Sequence, residues 1–97
     1  MFWCKVFKTK FEVVLALCDE KILGKVIKKK NFEIKISEKF YGGELVNAED
    51  ALKLMEKATI GNLMGKEAVE LAIKHGFITK ENVIKINGIP HAQFVKL

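Results

Sequence analysis

Apolar and polar residues alternate along Phe2–Lys8, with Phe2, Cys4 and Val6 on one face and Trp3, Lys5 and Phe7 on the other, the period-two signature of a strand. Residues 11–18 are apolar on both faces, so the pattern predicts a second strand, antiparallel to the first and central in its sheet. Strict alternation returns at Phe32-Glu33-Ile34-Lys35-Ile36 and predicts a third strand with one wet face. Residues 38–46 follow neither period, and their paired glycines point to an ordered loop. Asn47 is a good N-cap and Asp50 adds negative charge to the first turn of a helix over residues 47–58. Its expected core stripe is Ala48, Ala51, Leu52, Met55 and Ala58. Residues 59–65 read as a helical continuation or a tight corner. Beyond them Ala68, Val69, Ala72 and Ile73 recur at helical spacing up to the stop at Gly76, completing a helical hairpin. Asn87-Gly88 between Val83-Ile84-Lys85-Ile86 and residues 89–97 carries the two-residue β-turn signature, and Pro90 assigns its own stretch to an edge or a bulge.

The elements describe a single α+β domain over residues 1–97: an antiparallel sheet of three N-terminal strands plus a C-terminal hairpin, packed against a helical pair. Composition agrees, since 97 residues with 49% hydrophobic and 30% charged side chains suffice for one core. The longest apolar run, residues 13–18, is strand-sized and far short of a bilayer. Met1-Phe2-Trp3-Cys4 lacks the basic start and cleavage site of a leader, so a cytoplasmic protein is expected. With Thr9-Lys10 as the hairpin turn, Cys4 falls opposite Leu15 and Cys18 near Met1, too far apart for a disulfide. Two buried thiols are expected.

All 17 basic residues are lysine, and Gln93 is the one glutamine, a usage that leans towards a thermophile. The net charge of +5 is uneven: residues 1–37 hold nine lysines against four acids, whereas residues 38–97 hold eight of each. The excess therefore belongs to the first third of the chain.

Polar residues able to converge are Tyr41, Gly42, Gly43 and Glu44 before the helices, Asn62 at the corner, and His91 and Gln93 on the last strand. The stretches Phe40-Tyr41-Gly42-Gly43-Glu44-Leu45-Val46, Ala58-Thr59-Ile60-Gly61-Asn62-Leu63-Met64-Gly65 and Gly88-Ile89-Pro90-His91-Ala92-Gln93, with Cys18-Asp19, resemble the hallmark segments of the archaeal domain of unknown function 424 family. That resemblance implies a small, single-domain intracellular protein. It supplies candidate positions and no mechanism.

Three classes of function fit these residues. As an enzyme or small-ligand protein, His91 would act as base with Glu44 orienting it and Tyr41 or Asn62 as donors. No hydroxyl or thiol nucleophile accompanies His91 in a motif, and a single His after Pro in a strand more often forms a structural hydrogen bond, which tilts the reading away from catalysis. Two cysteines and two histidines scattered over the chain do not make a zinc site, and His75 suits the last turn of a helix. Gly42-Gly43 is a weak phosphate-loop signal, so neither metal nor cofactor is expected. As a nucleic-acid module, Lys5, Lys8, Lys10, Lys25, Lys28, Lys29 and Lys30 would attract phosphates, with Phe2, Trp3 and Phe7 as stacking rings. Single-stranded or structured RNA, alone or in a ribonucleoprotein such as the translation apparatus, suits such a surface better than duplex DNA. The competing account is a solvated lysine face over rings that belong to the core. A helix-turn-helix reading fails because Lys66, Glu67, Glu70 and Lys74 sum to zero. As a protein-interaction module, Phe40 and Tyr41 beside Pro90 and His91 would anchor a partner.

Overall fold

The computed structural model describes the main chain of residues 1–97 and every side chain but that of Lys29. Strands β1 (Phe2–Lys8) and β2 (Val13–Asp19) form a hairpin, β5 is Glu44–Val46, β6 is Ile60–Met64, and β7 (Ile84–Ile86) and β8 (Ile89–Val95) form a second hairpin. They build one six-stranded sheet in the order β5-β1-β2-β6-β8-β7. Every neighbouring pair is antiparallel except β2 and β6, which run parallel with Ala16 abreast of Asn62. The α+β class holds, but the sheet is mixed rather than antiparallel throughout.

The difference lies in residues 59–65, expected as a helical corner and found largely as the central strand β6. Thr59 stops the preceding helix by docking on β2: its N–H donates to Val13 O at 2.8 Å, and its Oγ1 accepts from Val13 N at 2.8 Å. At Gly61 a Cβ would fall 2.0 Å from the Phe94 ring of β8, so only glycine lets that ring lie against the strand. Strand partners on both sides, rather than local periodicity, decide the conformation.

Helices α2 (Ala48–Lys57) and α3 (Lys66–Lys74) cover one face of the sheet. Leu15, Leu17, Leu63 and Phe94 pack there against Met55 and Val69 among others, while Ala48 lies outside the stripe and exposed. Asn47 caps α2 by accepting from Asp50 N at 2.8 Å. The first residue before α3 is Gly65, at φ 110°, which has no side chain to cap with. Asp19, at the end of β2, takes that role, accepting from Glu67 N at 2.9 Å and Ala68 N at 2.7 Å. A Cβ on Gly65 would come within 2.4 Å of the Asp19 carboxyl carbon, so glycine and carboxylate are a matched pair.

The opposite face is covered by a lid made from residues 20–41. A 3-10 turn at Glu20–Ile22 leads into β3 (Val26–Lys29) and β4 (Phe32–Lys35), which form their own two-stranded sheet, then into the one-turn helix α1 (Glu38–Tyr41). The expected third strand is thus not part of the main sheet. Gly24 N to Ile36 O and Ile36 N to Lys25 O, each 2.8 Å, fasten the hairpin at its base. Ile27, Ile36 and Tyr41 complete a second core with Ala16, Cys18 and Met64. Residues 38–46, expected as a loop, form α1, capped by the Ser37 hydroxyl accepting from Phe40 N at 3.2 Å, and the edge strand β5.

The β1–β2 turn spans residues 9–12, closed by Thr9 N to Glu12 O at 2.9 Å, so the register sits two residues from the expected one. Cys4 pairs with Leu17 and Cys18 with Trp3, on opposite faces; both thiols are free and buried. Burial raises the Cys4 thiol pKa and pushes that of Cys18 up to about 12. Asn87 and Gly88, at φ 50° and 86°, make the expected two-residue turn. Strand β8 is interior, however, between β6 and β7. It tolerates Pro90 because the pair flanking a two-residue turn is the hydrogen-bonded one, so Pro90 turns its missing donor away from β7 and towards Gly65, one residue past the end of β6. Its carbonyl accepts from Gly65 N at 2.8 Å.

Candidate functional site

Four of the predicted polar residues belong to the lid side of the sheet. Tyr41, on α1, donates its hydroxyl to Asn62 Oδ1 on β6. Asn62 stands abreast of Gln93, and Met64 abreast of His91, on β8. Burial raises the Tyr41 pKa, with Cys18 adding to it, so the phenol stays a donor. His91 is half-buried, and its Nδ1 is shielded from solvent with no hydrogen-bond partner among the described residues. Burial lowers its pKa, opposed by the Leu63 main chain, which favours the neutral ring. Beside it a depression of about 330 Å³ is lined by Asn82, Ile84, His91, Ala92 and Gln93.

Glu44 does not join them. It pairs with Cys4 on β5, which puts it on the helical face at the far edge of the sheet, so it cannot orient His91. Gly42 and Gly43 have steric duties: a Cβ would meet Glu38 O at 2.5 Å in one and Cys4 O at 2.5 Å in the other. They let the chain turn from α1 around the sheet edge into β5. Among the described residues no three His, Cys, Asp or Glu side chains gather into a metal site. What remains together is a set of hydrogen-bonding groups, the Tyr41 hydroxyl, the Asn62 and Gln93 amides and the His91 ring. Nor do Phe40 and Tyr41 form a free docking surface, since Tyr41 is buried and Phe40 stacks on Phe7 with centroids 5.4 Å apart.

The seven lysines fall in three places. Lys5 is tied down, donating to Lys39 O at 2.9 Å with its ammonium 5.4 Å from the Phe7 ring centre. Lys8 and Lys10 are exposed at the β1–β2 turn, and Lys25, Lys28 and Lys30 are exposed on the β3–β4 hairpin. The Lys29 side chain lies outside the described residues. Among those described, the ion pair found is Lys53 with Glu49 at 3.7 Å, on α2, so among the described residues no carboxylate neutralises the exposed five by direct contact.

The rings expected to stack on bases are already engaged. Phe2 is buried under the helices, and Trp3 and Phe7 pack beneath the lid. Phe11 and Phe32 are free instead, 80% and 67% exposed. Lys10 Nζ sits 5.5 Å from the Phe11 ring centre, and Phe32 follows Lys30-Asn31 at the tip of the lid hairpin. Sequence did hold a signal for them: each ring stands at a turn, within two residues of a lysine.

A mixed sheet with a helical pair on one side and a lysine-rich hairpin lid on the other defines a small α+β domain, none of whose helices is long and apolar enough to cross a membrane. The chain belongs to the family described as protein of unknown function (DUF424), whose family model matches residues 7–97. The fold is similar to that in the crystal structure of an uncharacterized conserved protein from Methanopyrus kandleri. The two are 28% identical with a TM-score of 0.84, over 99% of this chain and 93% of that one. No curated protein matches the chain.

Proposed function

We propose that the protein is a non-catalytic binding module for single-stranded or structured RNA, alone or within a ribonucleoprotein, and that the lysine-bearing hairpins are its contact surface. The observation that carries this reading is an exposed ring at each of two lysine-bearing hairpin tips, Phe11 with Lys10 Nζ 5.5 Å from its centre and Phe32 two residues after Lys30. Ammonium groups supply sequence-independent attraction to phosphates, and a free ring supplies a stacking platform. Charge is apportioned to match: the lid, residues 20–41, has seven lysines against three acids, whereas α2 and α3 have four against five. Without arginine there is no planar fork for bidentate base reading, so the recognition is sequence-tolerant.

The test is anisotropy titration of a labelled single-stranded RNA of about 12 nucleotides over a range of salt. The expected outcome is a log–log slope of about −2, corresponding to roughly three phosphate contacts. Phe32→Ala should weaken binding by about tenfold while leaving stability within about 0.5 kcal/mol. A flat salt response removes the proposal. A second reading, a small neutral ligand held by Asn62, His91 and Gln93, is favoured by the unpartnered His91 Nδ1 beside the depression. It requires ligand-induced shifts of the Asn62 and Gln93 side-chain amides.

A further inference from the structure

The edge of the sheet at β1 is only half covered. Strand β5 pairs with residues 2–4 of β1 and goes no further. Since Thr9 and Glu12 form a hydrogen-bonded pair, the odd residues of β1 face β2, and the N–H and C=O of Val6 and Lys8 point outward past the end of β5. Gly43, pressed against Cys4 O and Lys5, is where the preceding chain leaves the edge.

Along this free stretch run two depressions that share Val6 and Leu54. One, of about 380 Å³, starts at Gly43 and Glu44; the other, of about 340 Å³, has a floor of Val13, Leu15 and Ala58 and is rimmed by Lys8 and Lys57. An open ladder edge, an apolar floor abreast of Val6 and two ammonium groups abreast of Lys8 occur in one line. The single carboxylate on the groove, Glu44, closes its far end. Glu12 is engaged elsewhere, accepting from Thr59 Oγ1 at 2.6 Å.

We propose that this groove takes an extended peptide segment of a partner protein, added as a strand beside β1 in the space beyond β5. It presents an apolar side chain abreast of Val6 and, two positions away on the same face, a carboxylate abreast of Lys8 and Lys57. Strand addition obtains affinity from main-chain bonds and specificity from alternate side chains, and the groove offers both. A second copy of this chain fits poorly, because pairing β1 with β1 across the edge brings Lys8 towards its own counterpart. The site is separate from the surface proposed for RNA and does not depend on it.

The probe is a labelled peptide amide of pattern Thr-Thr-Thr-Glu-Thr-Val, which ends abreast of Val6, titrated into the full chain and followed by amide chemical shifts. The expected result is saturable binding with the largest shifts and new exchange protection at the Val6 and Lys8 amides. Val6→Pro removes only an outward-facing donor, so the fold survives while binding falls about tenfold. Lys8→Glu with Lys57→Glu should weaken the same peptide by about tenfold and strengthen one carrying Lys in place of Glu. Shifts that map to the lid instead of β1, or equal binding by the charge-reversed pair, overturn the proposal. So does protection of the same amides by self-association without peptide.

Discussion

The two layers that sandwich the sheet are built to different standards. On the helical side, fully buried Ala51, Met55, Ala68 and Ala72 close over Leu15, Leu17 and Leu63, and α3 is locked to β2 by two short hydrogen bonds to Asp19. On the lid side burial is confined to the face turned to the sheet. Ile27 and Ile36 are enclosed, but Val26, which alternates with Ile27 onto the other face of the hairpin, is 52% exposed, and Phe32 at the tip is 67% exposed. The lid also holds the uncompensated lysines, whereas the helical layer is close to neutral. One side is a core and the other is a surface tethered to a core. Placing an apolar ring and like charges on a projecting hairpin forgoes packing and adds self-repulsion.

That contrast can be broken most directly at Asp19. Asp19→Ala leaves the Glu67 and Ala68 N–H groups buried without acceptors, and the urea midpoint should fall by the equivalent of about 3 kcal/mol. A similarly placed change in the lid should matter less. Tyr41→Phe removes the hydroxyl donated to Asn62 and should cost about 1 kcal/mol, with faster hydrogen exchange confined to residues 24–41. If instead both variants unfold the whole chain equally, the two layers are one cooperative unit.

The smallest effect is a pH slope. His91 has a lowered pKa in the folded protein, so the unfolded chain takes up the proton first. The stability it contributes is complete above its ordinary value and is lost as pH falls through the folded one. Unfolding free energy should therefore decline from about pH 7 to about pH 5, and His91→Gln should flatten the decline. Asp19, whose pKa burial raises, acts in the opposite sense: its contribution is present below the unfolded value and lost as pH rises through the folded one. The His91 slope is accordingly read as the difference between the parent chain and His91→Gln, in which the Asp19 contribution cancels.

Local rules were sufficient for some elements. Asn47 capping α2, Gly76 ending α3 at φ 79°, the Asn87-Gly88 turn and the β1–β2 hairpin follow from side-chain size, capping chemistry and periodicity. They failed where a segment takes its conformation from partners. Ile60–Met64 is short and aperiodic, and it is a strand because Val13 and Phe94 receive it. The candidate polar face was legible as residue types, but not as a place: Tyr41, Asn62, His91 and Gln93 share one side of the sheet, and Glu44 sits on the other. Likewise the sequence pattern showed where positive charge accumulates but left Phe2, Trp3 and Phe7 open between stacking rings and core, and the structure packs them in or against the two cores, because both faces of β1 are covered.

The chain alone therefore determined the class of fold, the main caps and turns, the family and the imbalance of charge, all of which depend on neighbours within a few residues. Tertiary structure decided the parallel insertion of β6, the detachment of the lid hairpin, the capping of α3 by Asp19 and the half-open edge of β1. Each of these joins residues tens of positions apart, and such pairings are set by which surfaces exclude water together rather than by any local propensity.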